Sequence, residues 1–219
     1  MCYVHLSKQE MQSQGRLRSL DEWISLAKQM KDAGTLFLLL TGGEPLLFPQ
    51  FKELYCVLKD MGMILTLNTN GTLINEEWAE FFAKNKPRRI NITLYGSKNE
   101  TYENLCHMKD GFDKTIRGIE LLKKYKIDVK INGSLVKKNF HDRMEIIDIG
   151  EKYDIPVRID TYMYPSVRER TTPFNFHERL NPEDAAKARV EILHREMGDE
   201  LFEQYAKQTI YLAEHTRSE

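Results

Sequence analysis

Glycines and polar side chains follow the apolar runs of this sequence at the points where predicted strands end. The first run closes in Thr41, Gly42, Gly43 and Glu44, and Pro45 fixes the turn after them. Two residues without side chains let a ligand approach the backbone, and a carboxylate accepts hydrogen bonds from an ammonium group. These residues therefore suit a small polar ligand, although an ordinary strand-to-helix loop explains Gly-Gly-Glu-Pro equally well.

The later apolar runs end in polar residues in the same way. Asn68 and Asn70 follow the second run, and Thr93 and Tyr95 follow the third. The fourth and fifth runs carry, at corresponding positions, Asn132, Ser134, Asp160 and Tyr162. Because the carboxyl ends of parallel strands meet on one face, we expect these side chains to converge on a single site for a polar ligand.

The cysteines do not form a pattern that is typical of disulfides or of a complete metal site. The sequence has 3 cysteines, which are too few and too scattered for a disulfide framework: Cys2, Cys56 and Cys106. Cys56 falls within an amphipathic helix and is predicted to be a small buried residue. Cys106 and the adjacent His107 lack a partner pair at ligand spacing, so we predict a loop or a helix end there.

Helix and strand signals alternate along the chain and would position these side chains. Candidate helix N-caps are Ser19, Asn75 and Asp113, and glycines stop the first two helices at Gly34 and Gly62. The predicted strands are Thr35–Leu40, Met63–Leu67, Ile90–Leu94, Asp128–Val136 and Val157–Tyr162. One helix is predicted between successive strands, and the continuous apolar run of the first strand is typical of a strand covered on both faces.

The alternation of strands and helices predicts an α/β fold with a parallel sheet and right-handed crossovers. The spacing favours a barrel or partial barrel, because no strand is followed by the Gly-x-Gly-x-x-Gly turn of dinucleotide-binding folds. After the last strand, a loop rich in arginine, threonine and proline leads into helical sequence from Pro182 to about His215.

Composition restricts the classes of partner. The chain has 219 residues, of which 41% are hydrophobic and 30% charged, with a formal net charge of −1. This balance gives no electrostatic reason to expect binding to nucleic acid or to an anionic membrane surface. No apolar run approaches the length of a membrane-spanning helix, and the first residues do not resemble a signal peptide, so we expect a cytoplasmic location.

Three motifs, in this order and spacing, resemble the radical S-adenosylmethionine (SAM) superfamily. Cys2-Tyr3 lies ahead of the Leu-Thr-Gly-Gly-Glu-Pro segment Leu40–Pro45, and Asn68–Ile74 follows one helix and one strand later. Two further segments, Ile92–Gly96 and Gly111–Thr115, are similar to the SPASM-type peptide and protein modifiers, the branch with extra C-terminal iron–sulfur modules. The resemblance covers residues 1–164.

This resemblance has consequences for the fold and the domains. It implies a radical SAM core over residues 1–164, built as a partial (β/α)6 TIM-like barrel with parallel strands and lacking the first strand. Residues 165–219 would form a loop and a helical C-terminal segment that either packs on the barrel or leads toward an auxiliary-cluster domain absent from this chain. A missing first strand exposes the edge of its neighbour, so we expect the isolated chain to be marginally stable or prone to aggregation.

In this family, a Cys-x-x-x-Cys-x-x-Cys loop binds a [4Fe–4S] cluster, and SAM binds the remaining iron. Reductive cleavage of SAM gives a 5′-deoxyadenosyl radical that abstracts a hydrogen atom from the substrate. The resemblance thus implies an oxidoreductase or maturase that acts on a peptide or protein. It also implies an electron donor such as a flavodoxin or a ferredoxin.

The functional residues of the family carry over onto matching positions. Cys2 matches the third cysteine, and its two partners would lie before Met1, so the resemblance implies a truncated, inactive fragment with an incomplete ligand set. The positions that match the SAM pocket are Thr41, Gly42, Gly43, Glu44, Asn68, Asn70, Thr93 and Ser134. Val157 would offer backbone groups to the adenine, whereas Tyr95 replaces an aspartate that is common in the family.

Other interpretations remain open. The chain could be a cluster-free protein that binds SAM or acts as a scaffold, or a metal-dependent barrel hydrolase for which Asp160 and Glu44 are the only candidate ligands. The loop arginines Arg168, Arg170 and Arg179 either contact an acidic or carbonyl group of a peptide or form a solvated basic loop.

Overall fold

The computed structural model describes residues 16–163 and 177–215. Cys2, Arg168 and Arg170 therefore lie outside the described residues. The strands are β1 (Phe37–Leu40), β2 (Ile64–Thr69), β3 (Arg89–Thr93), β4 (Val129–Ser134) and β5 (Val157–Asp160). The helices are α1 (Leu20–Asp32), α2 (Phe51–Asp60), α3 (Glu76–Lys84), α4 (Asn99–Cys106), α5 (Gly111–Lys124), α6 (Arg143–Tyr153), α7 (Pro182–Met197) and α8 (Asp199–His215). Short 3-10 helices span Pro45–Leu47 and Lys137–Asp142.

The strands form one sheet in which all neighbours are parallel. The order is β1-β2-β3-β4-β5, so each strand pairs with the next one along the chain. This topology confirms the predicted α/β class and the number of strands within the described residues. The crossover between β3 and β4 differs from the prediction, because it contains two helices, α4 and α5, where one was expected.

The two faces of the sheet differ in character. Leu67, Ile92 and Ile131 are fully buried and belong to the hydrophobic core beneath the helices. Alternate residues point to opposite faces of a strand, which places polar residues such as Asn68 and Asn91 on the other face. The sheet thus has an apolar outer face, covered by helices, and a largely polar inner face.

Strand β1 is an exception to the expectation that it would be covered on both faces. Its outer residues Leu38 and Leu40 pack against the core, but Phe37 is 69% exposed and Leu39 is 48% exposed. Among the described residues, β1 pairs only with β2. Within the described part of the chain, one edge of the strand is therefore unpaired, and its inner face is apolar and exposed.

The helix starts confirm two of the three predicted N-caps. Ser19 and Glu22 form the predicted capping box of α1, and the Asn75 side chain accepts a hydrogen bond from Trp78 N at the start of α3. Helix α5 begins at Gly111, so Asp113 lies inside its first turn and the prediction of an Asp113 cap was wrong.

The C-terminal helical region consists of two helices, separated at Gly198, which has a φ of 73°. Helix α7 buries Ala185, Ala188 and Ile192, and an ion pair of 2.6 Å joins Glu191 to Arg143 of α6. Helix α8 contains no buried residue. Within the described ranges, no helix has both the length and the apolar character that a bilayer crossing requires.

Candidate functional site

A cavity of about 1040 Å³ opens at the carboxyl ends of the strands. Most of the positions singled out in the sequence contribute to its lining, namely Thr41, Gly42, Gly43, Asn68, Asn70, Thr93, Tyr95, Ser134, Val157, Asp160 and Tyr162. The structure therefore brings the polar ends of all five strands together. Glu44, Asn132 and Arg179 do not line the cavity.

The turn after β1 presents bare backbone to this cavity. Gly42 has a φ of 153°, a conformation that L side chains rarely adopt. A Cβ atom added to either Gly42 or Gly43 would meet no protein atom within 4 Å. The peptide groups of this turn are consequently open to a ligand, and any side chain here would occupy ligand space.

Glu44 does not face the cavity but connects the turn to the next strand. Its Oε1 accepts hydrogen bonds from Thr69 Oγ1 at 2.8 Å and from Leu46 N at 3.2 Å, and its Oε2 accepts one from Asn70 N at 2.9 Å. Three donors thus hold the carboxylate. This arrangement differs from the expectation that Glu44 lines the ligand pocket, and it fixes the glycine turn against the end of β2.

Asn68, in β2, and Asn70, just after it, are held so that their amide hydrogens remain available. Asn70 Oδ1 accepts hydrogen bonds from Thr72 N at 2.9 Å and from Thr72 Oγ1 at 2.7 Å. Asn68 Oδ1 accepts a 2.8 Å bond from Asn91 Nδ2 on β3. Because these bonds use the oxygen of each amide, the Nδ2 groups of Asn68 and Asn70 can donate to an anionic or carbonyl oxygen of a ligand.

Helix α5 supports the turn that follows β2. Thr115, which is fully buried, places Oγ1 3.2 Å from Asn70 O and 2.8 Å from Gly111 O. A Cβ atom added to Gly118 would lie 2.5 Å from Gly71 O, so only glycine lets the helix approach this closely. The segment that carries Asn70 is therefore packed rigidly from below.

Thr93, Tyr95 and Ser134 form the wall at the ends of β3 and β4. The backbone N–H of Tyr95 donates to the hydroxyl of Tyr102 at 3.2 Å, and the two rings meet edge to face at 5.9 Å. Burial raises the pKa of the Tyr102 hydroxyl to about 12, so this group is protonated at neutral pH. This wall gives the cavity the hydroxyls of Thr93 and Ser134 and the aromatic side chain of Tyr95.

Next to Ser134, the part of the wall formed by β5 and α7 carries charged residues, most of which the sequence analysis did not single out. Arg158 on β5 pairs with Asp160 at 3.1 Å, and helix α7 contributes Arg189 and Glu196. Alternation along β5 would have placed Arg158 on the face of Asp160. No local signal could have assigned the α7 residues, because their position depends on how the helix packs beside the sheet.

The cysteines of the described chain do not fit a metal site. Cys56 lies within α2 and is half-buried, less than predicted, whereas Cys106 ends α4 as expected and His107 follows it in the left-handed conformation. Burial raises the pKa of the Cys106 thiol to about 11, which disfavours the thiolate that iron requires.

Carboxylates do not supply a metal site either. Within residues 16–163 and 177–215, no group of three or more His, Cys, Asp or Glu side chains is placed to hold a metal ion. Asp160 is paired with Arg158, and Glu44 is bound to Thr69 and Asn70. The hydrolase interpretation therefore lacks its ligand set among the described residues.

The sequence pattern of the radical SAM superfamily matches residues 1–150, which is more than half of the chain. The chain belongs to the radical SAM superfamily. The membership predicted from the three motifs is thus confirmed, and the members among its relatives are enzymes, including heme synthases, GTP cyclases and sulfatase-maturating enzymes.

Curated relatives within this superfamily are considerably longer than the region they share with this chain. The AdoMet-dependent heme synthase of Methanosarcina barkeri is 30% identical over 132 residues, which is 60% of this chain and 38% of the relative. The cysteine-type anaerobic sulfatase-maturating enzyme of Clostridium perfringens is 37% identical over 100 residues, or 41% of this chain and 26% of the relative.

Solved structures of radical SAM proteins share the fold. Streptococcus suis SuiB, bound to its precursor peptide SuiA, superposes with a TM-score of 0.69 at 17% identity and covers 94% of this chain and 47% of that one. Native anSMEcpe with bound AdoMet superposes with a TM-score of 0.63 at 23% identity, and the match covers 82% of this chain and 51% of that one. These likenesses confirm the α/β partial-barrel architecture.

Proposed function

We propose that this chain is the SAM-binding core of a radical SAM enzyme that abstracts hydrogen from a peptide or protein. The cavity at the strand ends is the observation that carries the proposal. It combines open glycine backbone at Gly42 and Gly43 with amide and hydroxyl groups from three further strands. Such a set suits a ligand that has an ammonium group, a carboxylate and a ribose.

Each part of the cavity would contact a different part of SAM. The carbonyl groups of the Gly42–Gly43 turn would accept hydrogen bonds from the ammonium group, and Glu44 would keep this turn in place. The amide hydrogens of Asn68 and Asn70 would donate to oxygens of the ligand. The hydroxyls of Thr93 and Ser134 would bind the carboxylate and the ribose.

The described residues do not provide the ligands of an iron–sulfur cluster. A [4Fe–4S] cluster, when bound, supplies the electron that cleaves SAM. The described residues contain no fitting set of thiolates, and Cys2, the one position that matches a ligand, lies outside them. We therefore assign no described residue to the cluster, and we place cluster binding and catalysis in a longer protein.

A peptide or protein substrate is supported by the relatives and by the charged residues of the cavity wall at β5 and α7. SuiB has been solved with a precursor peptide, and other relatives mature sulfatases. The wall formed by Arg158, Asp160, Arg189 and Glu196 offers both signs of charge, which suits the side chains and carbonyl groups of a peptide. We further propose a flavodoxin or ferredoxin as electron donor.

Calorimetric titration of the chain with SAM tests the binding proposal. Gly43→Val should weaken SAM binding at least about tenfold, because a Cβ atom here meets no protein atom within 4 Å and the side chain would enter ligand space. Gln208→Val, an exposed position on α8, is the matched control and should bind like the wild type. Undetectable binding to the wild type, or equal binding to all three proteins, would contradict the proposal.

Anaerobic reconstitution of the longer protein with iron and sulfide separates the enzyme from a cluster-free binding protein. The enzyme should acquire iron–sulfur absorbance and cleave SAM reductively to 5′-deoxyadenosine. A protein that binds SAM but shows neither property would instead support the alternative of a SAM-binding scaffold.

A further inference from the structure

The 3-10 helix Lys137–Asp142 contains two polar side chains that are almost completely buried. Asn139 is 0% exposed and Asp142 is 2% exposed, yet neither lines the cavity. Buried polar groups are tolerated only where they are hydrogen-bonded, so their partners show what they stabilise. Nothing in the proposed binding of SAM uses either residue directly.

Asn139 joins the ends of two strands through its side-chain amide. Its Nδ2 donates to Tyr95 O at 2.8 Å and to Ser134 O at 3.1 Å, and its Oδ1 accepts from Val136 N at 2.7 Å. Both amide hydrogens and the oxygen are therefore used. Tyr95 and Ser134 line the cavity, whereas Asn139 lies behind them.

These bonds begin where the sheet ends. The last register pair of β3 and β4 is Thr93 with Asn132, and the last backbone bond runs from Leu94 N to Asn132 O at 2.9 Å. Beyond this bond, the side-chain amide of Asn139 joins the two strand ends by donating to both Tyr95 O and Ser134 O. The spacing of the strand ends thus depends on one side chain.

The surrounding contacts make this connection rigid. The backbone N–H of Tyr95 is held as well, because it donates to the Tyr102 hydroxyl. Asp142 accepts hydrogen bonds from Ser97 Oγ at 2.7 Å and from Thr101 Oγ1 at 2.6 Å. A Cβ atom added to Gly96 would lie 2.4 Å from Thr101 and 2.6 Å from Asp142, so the loop after β3 packs directly against the 3-10 helix.

We propose that Asn139 is a positioning residue for the SAM cavity. Its buried amide sets the distance between Tyr95 and Ser134, so that the wall they form is already in place when the ligand arrives. Without it, two carbonyl groups and one N–H would lose their partners, and binding would have to order the strand ends. The identity of the ligand rests on the function proposed above, but the positioning role does not.

The test compares Asn139→Ala with Asn75→Ala by calorimetric titration with SAM, at a temperature where both variants are folded. Asn75 is the control, because its Oδ1 also accepts a backbone hydrogen bond, from Trp78 N at 3.0 Å, but at an exposed helix start that does not line the cavity. Both variants should be less stable than the wild type. Only Asn139→Ala should bind SAM more weakly, by about tenfold. Equal affinities in the two variants would overturn the proposal.

A second variant decides the matter if Asn139→Ala does not fold. Tyr102→Phe keeps the ring and removes only the hydroxyl that accepts the Tyr95 N–H, so a folded protein is expected. Weaker SAM binding by this variant would support a cavity wall that is set by the backbone of Tyr95. An affinity equal to that of the wild type would show that the wall needs no such positioning.

Failure of the proposed function would be recognised separately. If the wild-type chain binds no SAM, that function fails, and positioning is measured in the ligand-free chain by amide hydrogen exchange. The backbone N–H of Tyr95 donates to Tyr102, whereas Asn139 bonds the Tyr95 carbonyl. This N–H should exchange faster in Asn139→Ala than in Asn75→Ala of equal stability. Unchanged exchange at Tyr95 would contradict the role of Asn139.

Discussion

At the scale of single residues, the carboxylate of Glu44 stabilises the cavity without lining it. It receives hydrogen bonds from Thr69, Asn70 and Leu46 and so joins the glycine turn to the end of β2. Bonds to an ionised acceptor are stronger than those between neutral groups. The position of the turn that faces the ligand therefore depends on this one charged side chain.

Replacing Glu44 by glutamine should lower the free energy of unfolding by about 2 kcal/mol, because the uncharged amide cannot accept all three bonds. Urea denaturation measures this difference. Glu53→Gln is the matched control, since it makes the same change at an exposed position on α2. The same denaturation midpoint for both variants would show that the Glu44 bonds contribute little.

At the scale of secondary-structure elements, β1 combines an edge that no described residue pairs with and an apolar inner face. Phe37 and Leu39 are exposed, and the neighbouring Leu36 is 50% exposed. Unpaired backbone groups beside exposed apolar side chains favour pairing with other chains. This finding supports the expectation that the isolated chain associates with itself.

The double substitution Phe37→Thr and Leu39→Thr should reduce self-association while leaving the fold intact, because threonine favours strands and both side chains are already exposed. Light scattering as a function of concentration measures the effect. A control with Val190→Thr and Leu201→Thr changes two exposed apolar residues on helices. Association that falls equally in both double variants would argue against the edge of β1 as its cause.

Helix α5 shows how an element can depend on a distant cap. The Asn99 Oδ1 accepts hydrogen bonds from Phe112 N at 3.1 Å and from Asp113 N at 3.3 Å, and its Nδ2 donates to Asp113 at 2.7 Å. Two of the free N–H groups of the helix start are thus satisfied by the first residue of α4. Asp113 interacts with this cap but does not form it.

At the scale of the whole molecule, the two C-terminal helices contribute unequally to stability. Helix α7 buries apolar residues and forms ion pairs between Arg195 and both Asp148 and Glu151 on α6. Helix α8 makes its helix–helix contacts with α7 and buries no side chain. We expect the fold to require α7 and not α8.

Removal of residues 199–219 should leave the denaturation midpoint in urea unchanged, whereas Ile192→Ala should lower the free energy of unfolding by about 2–4 kcal/mol. Ile192 is fully buried, so its truncation leaves a cavity. Val190→Ala, which changes an exposed residue of the same helix, is the control and should have little effect. A large loss of stability on removing α8 would show that it packs more extensively than the structure indicates.

The sequence by itself determined what depends on neighbouring residues. Short apolar runs between helix signals gave the strands, and the spacing from Ser19 to Glu22 gave the cap of α1, because the groups that interact there are close along the chain. The polar strand ends gave the cavity, since parallel strands place their carboxyl ends on one face. The motif order gave the superfamily.

The tertiary structure decided which distant groups meet. Glu44 contacts Thr69, Asn99 caps α5, and Asn139 joins Tyr95 to Ser134, each across a gap in sequence that no local pattern encodes. A buried polar group must find a partner, but packing selects the partner from many with the same chemistry. For that reason most of the strand-end residues of the site could be predicted from the sequence, whereas the α7 residues and the bonds that hold the site in shape could not.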